Sequence, residues 1–153
     1  MTLPHRAAGA LLLAGALVAS GCGTSCPTET PAKIEAIGSC TAKPGDTVSV
    51  PVRLCPTCNQ SGATCQVDTH AAGSSGLIQL DPTVEACENV STCSSPTPQC
   101  QTNPLTCTFT APAAGNYTLL VLDQSSNQTI QGTLVVDPGQ TPSCAFSTAL
   151  RVQ

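Results

Sequence analysis

Eleven cysteines in a chain of 153 residues restrict what this protein can fold into more than any other feature of its sequence. An odd number cannot pair completely, so one cysteine needs a role outside a disulfide. The first, Cys22, directly follows an apolar segment and is the candidate for that role. The others predict five disulfides in an oxidising compartment, with connectivity left open because ten cysteines allow nine times the roughly 105 pairings of eight. These ten are Cys26, Cys40, Cys55, Cys58, Cys65, Cys87, Cys93, Cys100, Cys107 and Cys144.

The segment before Cys22 has the organisation of an export signal. Residues 1–6 are short and basic, and residues 7–18 form a run of twelve uncharged, apolar residues. That length suits the core of a signal peptide and is too short for a helix that spans a bilayer. Small residues follow at positions 19–21, as a signal peptidase requires. One interpretation is an ordinary signal peptide whose cleavage site happens to lie beside a cysteine, and we favour a second one.

The sequence Val18-Ala-Ser-Gly-Cys22 resembles the lipobox of bacterial lipoproteins, with Ala19 where that family most often has leucine. The resemblance implies cleavage between Gly21 and Cys22, lipidation of the Cys22 thiol and acylation of its new amino group. Several acyl chains would then hold the protein on the membrane stably, since one chain alone binds only marginally. Gly23 favours the outer membrane, because the sorting rule familiar from enteric bacteria retains lipoproteins with aspartate there in the inner membrane. We therefore expect a lipid-anchored protein of the bacterial cell envelope.

Charge and aromatic content exclude several classes of function. Charged residues make up 9% of the chain, against about 25% in typical globular proteins. Without residues 1–21 the chain keeps nine acidic residues and loses Arg6, which leaves four Lys and Arg residues and a formal charge of −5. The sequence has no basic cluster, no tryptophan, two phenylalanines and one tyrosine. We therefore expect neither nucleic-acid binding nor electrostatic binding to anionic lipid headgroups.

Alternating and compact apolar runs separated by turns predict an all-β mature domain with no substantial helix. Residues 47–54 (TVSVPVRL) alternate most clearly, and Pro51 predicts an edge or a bulge there because it has no N–H to donate. A three-stranded meander towards the end of the chain is the other clear signal. The predicted strands cover residues 33–37, 47–54, 76–80, 84–90, 105–111, 117–122 and 129–136, with a short strand around 144–152.

Two turn-and-strand motifs, Lys43-Pro-Gly-Asp-Thr-Val-Ser-Val50 and Ala113-Ala-Gly-Asn-Tyr-Thr-Leu119, resemble those of bacterial extracytoplasmic immunoglobulin-like domains. The resemblance implies a single, disulfide-rich, antiparallel β-sandwich in which Tyr117 forms a tyrosine corner. An irregular β-protein held together by disulfides is the alternative. The expected organisation is a removed signal peptide over 1–21, a lipid-anchored tether over 22–32 and a β-sandwich domain over 33–153.

The sequence Cys55-Pro-Thr-Cys58 is the stretch that most suggests redox or metal-binding chemistry. A Cys-x-x-Cys pair runs thiol–disulfide exchange when a helix N-terminus lowers the pKa of its first thiol, and no helical periodicity follows this pair. With Cys65 and His70 the pair also offers ligands for zinc or copper, although the spacing is not that of a common zinc module. We favour two structural half-cystines over the alternative, an envelope thiol–disulfide oxidoreductase or metal-binding lipoprotein.

The other polar residues do not form a recognisable catalytic set. Ser74 and Ser75 lie near His70 in sequence, but the Gly-x-Ser-x-Gly pattern of a hydrolase is absent. Four acids in the middle of the chain could serve glycoside hydrolysis or calcium binding, and are more simply a solvated surface. We therefore assign no catalytic, metal-binding or cofactor-binding residue, and expect a structural or binding module with a protein or glycan partner. The four acids are Asp68, Asp81, Glu85 and Glu88.

Overall fold

The computed structural model describes residues 26–73, 75–87, 93, 97–146 and 150–152. In this part of the chain all regular secondary structure is β-strand, and ten strands share one hydrogen-bonded sheet. The predicted signal segment, Gly21 and Cys22 lie outside the described residues. The strands are β1 (Thr28–Glu29), β2 (Ile34–Ala42), β3 (Thr47–Leu54), β4 (Gln60–Ala72), β5 (Ser75–Ala86), β6 (Leu105–Thr110), β7 (Gly115–Asp123), β8 (Gln128–Val136), β9 (Ser143–Phe146) and β10 (Leu150–Val152).

The sheet curls into a half-barrel that encloses the core. Its main path runs β1-β5-β7-β8-β2-β3-β6, with β4 also paired to β5, β9 to β2 and β10 to β8. The curl brings β4 and β6 near each other, although they belong to opposite sides of this path. The Cys65–Cys107 disulfide joins these two strands. A covalent bond therefore holds the sheet in its curled shape.

Two strand pairs are parallel, which corrects the expectation of a purely antiparallel sandwich. β5 runs parallel to β7, and the second half of β2 runs parallel to β8. The first pair follows from the path of the chain, because β6 lies between β5 and β7 in sequence but pairs with β3. The chain thus crosses to β3 along β6 and comes back to the end where β5 began. The expectation of an all-β, disulfide-rich domain is confirmed.

β2 changes partner near Gly38, where the chain passes close to a proline. Its first residues pair with β3 as far as Ile37 and Val52, and from Cys40 onwards it pairs with β8. Pro51 has no N–H to continue the ladder with β2. A Cβ on Gly38 would lie 2.6 Å from Cδ of Pro51, so glycine lets the proline ring pack against the backbone. The predicted irregularity at Pro51 takes this form: the ladder ends beside the proline, and β2 itself carries a bulge between Ile34 and Ala36.

Adding one methyl group at Gly38 should destabilise the domain. The Gly38→Ala variant must displace the ring of Pro51, which is part of a paired strand, and overpacking of this kind lowers the free energy of unfolding by about 1–3 kcal/mol. Denaturant unfolding with the disulfides intact measures the change. Gly139→Ala is the matched control, because the nearest atom there is a carboxylate oxygen of exposed Asp137, and a change within about 0.5 kcal/mol is expected. Equal stability of the two variants would contradict the close packing at Gly38.

The core is built from alternate residues that face the inside of the curl. In β3 the four inward residues at positions 48, 50, 52 and 54 are at most 2% exposed, as the alternation predicts. Tyr117 is the single aromatic residue among the buried core residues of the described chain, and three cysteines are buried with it. Aliphatic side chains and disulfides therefore fill the interior. The buried cysteines are Cys40, Cys55 and Cys107.

Candidate functional site

Five disulfides join all ten cysteines that follow Cys22, which confirms the predicted number. The partners lie between 35 and 104 positions apart in the sequence. Proximity along the chain therefore could not reveal the connectivity, because none of the pairs joins sequence neighbours. The pairs are Cys26–Cys87, Cys40–Cys144, Cys55–Cys100, Cys58–Cys93 and Cys65–Cys107.

Cys55 and Cys58 do not bond to each other. Cys55 directly follows β3, is fully buried and bonds to Cys100, whereas the more exposed Cys58 bonds to Cys93. Backbone hydrogen bonds hold the surrounding loops together, and one of them runs from the N–H of Gln99 to the carbonyl oxygen of Pro56 at 2.9 Å. No helix begins at this motif in the described chain, in contrast to the usual setting of a Cys-x-x-Cys exchange site. The pairing is that of structural crosslinks.

The candidate metal ligands are likewise kept apart. Cys65 is bonded to Cys107, and His70 lies near the far end of β4, about 30 Å along the strand from the loop of Cys58. One group of potential ligand atoms does lie within 4.8 Å of one another, the carboxylate of Glu35 with the sulfurs of Cys55 and Cys100. Those two sulfurs share a disulfide and offer no thiolate, the form that binds zinc or copper.

His70 and the described acids of the middle segment lie on the β4–β5 hairpin. The Nε2 atom of His70 lies 3.2 Å from Oδ2 of Asp68, and these side chains are 61% and 65% exposed. Asp81 accepts a hydrogen bond from Nε2 of Gln79 at 2.8 Å. Glu85 is an exposed residue paired with Ser61 across the ladder. This arrangement is a polar strand surface; Ser75 is exposed at the start of β5, and Ser74 and Glu88 lie outside the described residues.

The segment that follows Cys26 is built into the sheet, although the sequence assigned it to a tether. Its strand β1 pairs with β5, Thr28 opposite Glu85, and the N–H of Ala86 donates to the carbonyl oxygen of Pro27 at 2.8 Å. The Cys26–Cys87 disulfide closes the same junction. The chain is therefore attached to the domain by a covalent bond and a short ladder four positions after Cys22.

Gln60 supports this attachment from the start of β4. Its side-chain oxygen accepts hydrogen bonds from the backbone N–H groups of Ala32, at 3.0 Å, and Thr57, at 3.1 Å. Its side-chain nitrogen donates to a carboxylate oxygen of Glu29. One amide side chain thus connects β1, the segment leading to β2 and the loop between Cys55 and Cys58. Nothing in the sequence around Gln60 signalled this role, because Glu29 and Ala32 are about 30 positions away and Thr57 alone is close to it along the chain.

Asp123 closes the loop between β7 and β8 at the same end of the domain. Its side chain is 1% exposed and accepts hydrogen bonds from the hydroxyls of Ser125 and Ser126, each at 2.7 Å. The backbone N–H of Ile34 also points to this carboxylate, at 3.4 Å. The sequence shows a polar turn at this position, but only the fold reveals that its first residue is buried.

These contacts define two ends of the domain. The Cys26 end comprises residues 26–30, Cys87 and the β7–β8 loop 123–128. It is continuous because β5 and β7 finish at the same end and the Thr30 hydroxyl donates to Oε1 of Gln124 at 3.0 Å. The far end comprises the turns 43–46, 111–115 and 137–140, which are joined by backbone hydrogen bonds such as Gly45 N–H to Ala111 O at 3.0 Å.

Tyr117 fastens the far end from the start of β7. Its hydroxyl lies 2.7 Å from the carbonyl oxygen of Ala113, four residues upstream, and 3.0 Å from that of Gly73 in the β4–β5 turn. The ring is buried in the core at the same time. The residue that the sequence singled out as a corner therefore links the β4–β5 turn, the β6–β7 turn and the core.

Taken together, the described residues hold crosslinks and surface pairs rather than an assembled catalytic set. The described chain contains no helix long and apolar enough to cross a membrane. No protein-family model, curated protein or solved structure matches this chain. The inference about its function therefore rests on its own residues.

Proposed function

We propose that this protein is a lipid-anchored component of the bacterial cell envelope whose β-domain is a non-catalytic structural or binding module. The observation that carries the proposal is the cysteine pairing: five disulfides use ten of the eleven cysteines, and Cys22 is the eleventh. Cys22 is also the residue that the lipobox-like sequence marks for acylation. The pairing and the sequence pattern are independent features that single out the same residue.

The disulfide content also supports export. Five disulfides in one small domain suit an oxidising compartment outside the cytoplasm, where such bonds form and persist. The sparse charge of the chain adds no route to an anionic membrane surface other than the acyl chains on Cys22. Because residue 23 is glycine rather than aspartate, the membrane we propose is the outer one. The partner we propose is a protein or glycan of the envelope.

We also propose that the domain is a variant of the immunoglobulin-like β-sandwich. Support comes from Tyr117, whose hydroxyl reaches a backbone carbonyl four residues upstream at the start of β7, as a tyrosine corner does. The curl of the sheet also brings β4 near β6, and the disulfide of Cys65 and Cys107 joins these two strands. The two parallel pairs, β5 with β7 and β2 with β8, are the departure from the antiparallel sheets of such sandwiches.

A non-catalytic module is preferred over a thiol–disulfide oxidoreductase or a metal-binding lipoprotein because of two disulfides. Cys55 bonds to Cys100 and Cys58 to Cys93, so the Cys-x-x-Cys sequence does not hold a disulfide between its own two cysteines. A thiol–disulfide oxidoreductase with a Cys-x-x-Cys motif alternately forms and reduces the disulfide between those two cysteines.

Metabolic labelling with an alkyne-bearing fatty acid tests the anchor directly. The full chain, produced in a bacterium that makes lipoproteins, should incorporate the label and partition into the detergent phase on cloud-point separation. Several acyl chains bury enough methylene groups for stable membrane attachment, at about 0.8 kcal/mol for each group. An unlabelled protein that remains in the aqueous phase would show that the chain is not a lipoprotein.

A further inference from the structure

The Cys26 end of the domain lies within a short distance of the proposed acylation site. Only three residues separate Cys22 from Cys26, and four residue steps extend over at most about 14 Å. Cys26 is not a mobile linker residue, because the disulfide to Cys87 and the ladder between β1 and β5 attach it to the folded domain. Membrane attachment at Cys22 would therefore hold this one end of the domain close to the membrane.

The exposed apolar side chains are found at the same end. Leu122 and Val152 are the large hydrophobic residues exposed in the described chain, at 46% and 44%. Both pair with Thr129, Leu122 from β7 on one side and Val152 from β10 on the other. They consequently form one row across three strands, next to the β7–β8 loop that belongs to the Cys26 end.

The residue pairs of the β1–β5 ladder add no attraction to an anionic membrane. Their charged members are Glu29 and Glu85, whose carboxylates anionic headgroups repel. The neighbouring loop presents neutral hydroxyl and amide side chains, including those of Gln124 and Asn127, which are exposed. An interaction made by the covalent link and apolar contact is therefore expected to be insensitive to salt.

We infer that the Cys26 end, with Leu122 and Val152, is a membrane-docking surface that rests on the headgroup layer and directs the far end away from the bilayer. This inference rests on the proposed acylation of Cys22. The headgroup layer is about 5–8 Å thick in each leaflet, so a link of about 14 Å brings the Cys26 end into contact with it. The nine residues of β7 extend about 30 Å, which places the far end well outside this layer.

With the Cys26 end on the membrane, the far end is left free to contact a partner. The turns 43–46, 111–115 and 137–140 are left facing the envelope space, where a protein or glycan partner can reach them. Lys43 and Asp137 are exposed on these turns, so the far end offers charged groups of both signs. The membrane-facing end and the partner-facing end then differ in chemistry as well as in position.

Paramagnetic relaxation in the NMR spectrum of the acylated, full-length mature protein tests the orientation. The protein is placed in phosphatidylcholine nanodiscs that contain a small fraction of a gadolinium-chelating lipid. Backbone amide signals of Glu29, Leu122 and Gln124 should lose most of their intensity, and those of Lys43 and Asp137 should keep theirs, at low and high salt alike. Equal losses at both ends, or a preference that disappears at high salt, would overturn the inference.

Two variants separate the contributions of the disulfide and the apolar row. Cys26→Ser/Cys87→Ser frees the link and should make the losses at the two ends nearly equal, while the amide spectrum reports that the domain stays folded. Leu122→Ser should weaken the preference for the Cys26 end, and Val135→Ser, which shortens a half-buried apolar side chain on β8 near the far end, should leave it unchanged. Equal effects of these two serine substitutions would overturn the role of the apolar row.

The same preparation distinguishes failure of this inference from failure of the proposed function. A protein without acyl mass that does not enter the nanodiscs contradicts the lipid anchor itself. A protein with acyl mass that enters the nanodiscs but shows no difference between its ends contradicts only the docking surface.

Discussion

The Cys22→Ser variant should accumulate as an unacylated precursor that retains residues 1–21. The hydroxyl of serine cannot form the thioether that lipidation requires, and cleavage of a lipoprotein precursor follows lipidation. Loss of every acyl chain removes an anchor worth about 0.8 kcal/mol for each buried methylene, so incorporation of a fatty-acid label should fall to background. Intact mass and cloud-point partition measure the processing and the lost anchor.

The matched control for this substitution removes two other cysteines. Cys26→Ser/Cys87→Ser eliminates one disulfide but leaves the Val18–Cys22 sequence intact, so acylation and cleavage should proceed as in the unmodified protein. Normal processing of Cys22→Ser, or a loss of label in both variants, would contradict a specific role of Cys22.

Removal of the Cys55–Cys100 disulfide should lower the free energy of unfolding by about 4 kcal/mol. The bond closes a loop between residues 45 positions apart, and a crosslink of that length restricts the unfolded chain by about this amount. Cys55 is also fully buried, so its substitution removes packing from the core. Denaturant unfolding of Cys55→Ala/Cys100→Ala measures the loss. Because both cysteines are replaced, this variant leaves no unpaired thiol from the bond that could reshuffle the other disulfides.

The corresponding variant at the second half of the motif gives the comparison. Cys58→Ala/Cys93→Ala removes a bond between residues 35 positions apart, a loop for which a loss of slightly under about 4 kcal/mol is expected. Neither of its cysteines is buried, so this variant lacks the additional loss of core packing expected at Cys55. The unmodified protein should show no catalysis in an insulin-reduction assay. Catalysis that is lost in both variants without loss of stability would favour the oxidoreductase over the structural module.

Some parts of the fold follow directly from local sequence. Residues 47–54 alternate with period two, and they form β3 with the predicted bounds because one face of the strand packs into the core. The even number of cysteines after Cys22 predicts five disulfides without any knowledge of their partners. For Tyr117 the corner was implied by the resemblance to immunoglobulin-like domains, and its hydroxyl does lie 2.7 Å from the carbonyl oxygen of Ala113.

Other parts depend on contacts that no short segment contains. β4 was not predicted, because Gln60–Ala72 is rich in small and polar residues, and Gly62 has a positive φ of 57° at a bulge. β5 was divided into two candidates around Pro82, yet it is one strand. The ladder to β7 ends at Gln79 and the ladder to β1 begins at Val84, so the strand has an open edge where proline lacks its N–H.

The Cys26 end shows why Thr28 and Glu29 could not be recognised as a strand from the sequence. Thr28 and Glu29 have no strand pattern of their own, and they pair with β5 because the disulfide to Cys87 holds them beside it. Their partners are about 60 positions away in the sequence. Only the assembled sheet shows that the segment next to the proposed anchor is structural.

The intact mass of the mature protein from bacterial membranes, with and without a thiol-blocking reagent, tests the central claim most directly. We predict a chain that begins at Cys22, carries added acyl mass and takes up no reagent until reduction, after which ten thiols react. A mature chain without acyl mass would contradict the lipid anchor. Reagent uptake by two or more thiols before reduction would contradict the five disulfides and return Cys55 and Cys58 to consideration as a redox or metal site.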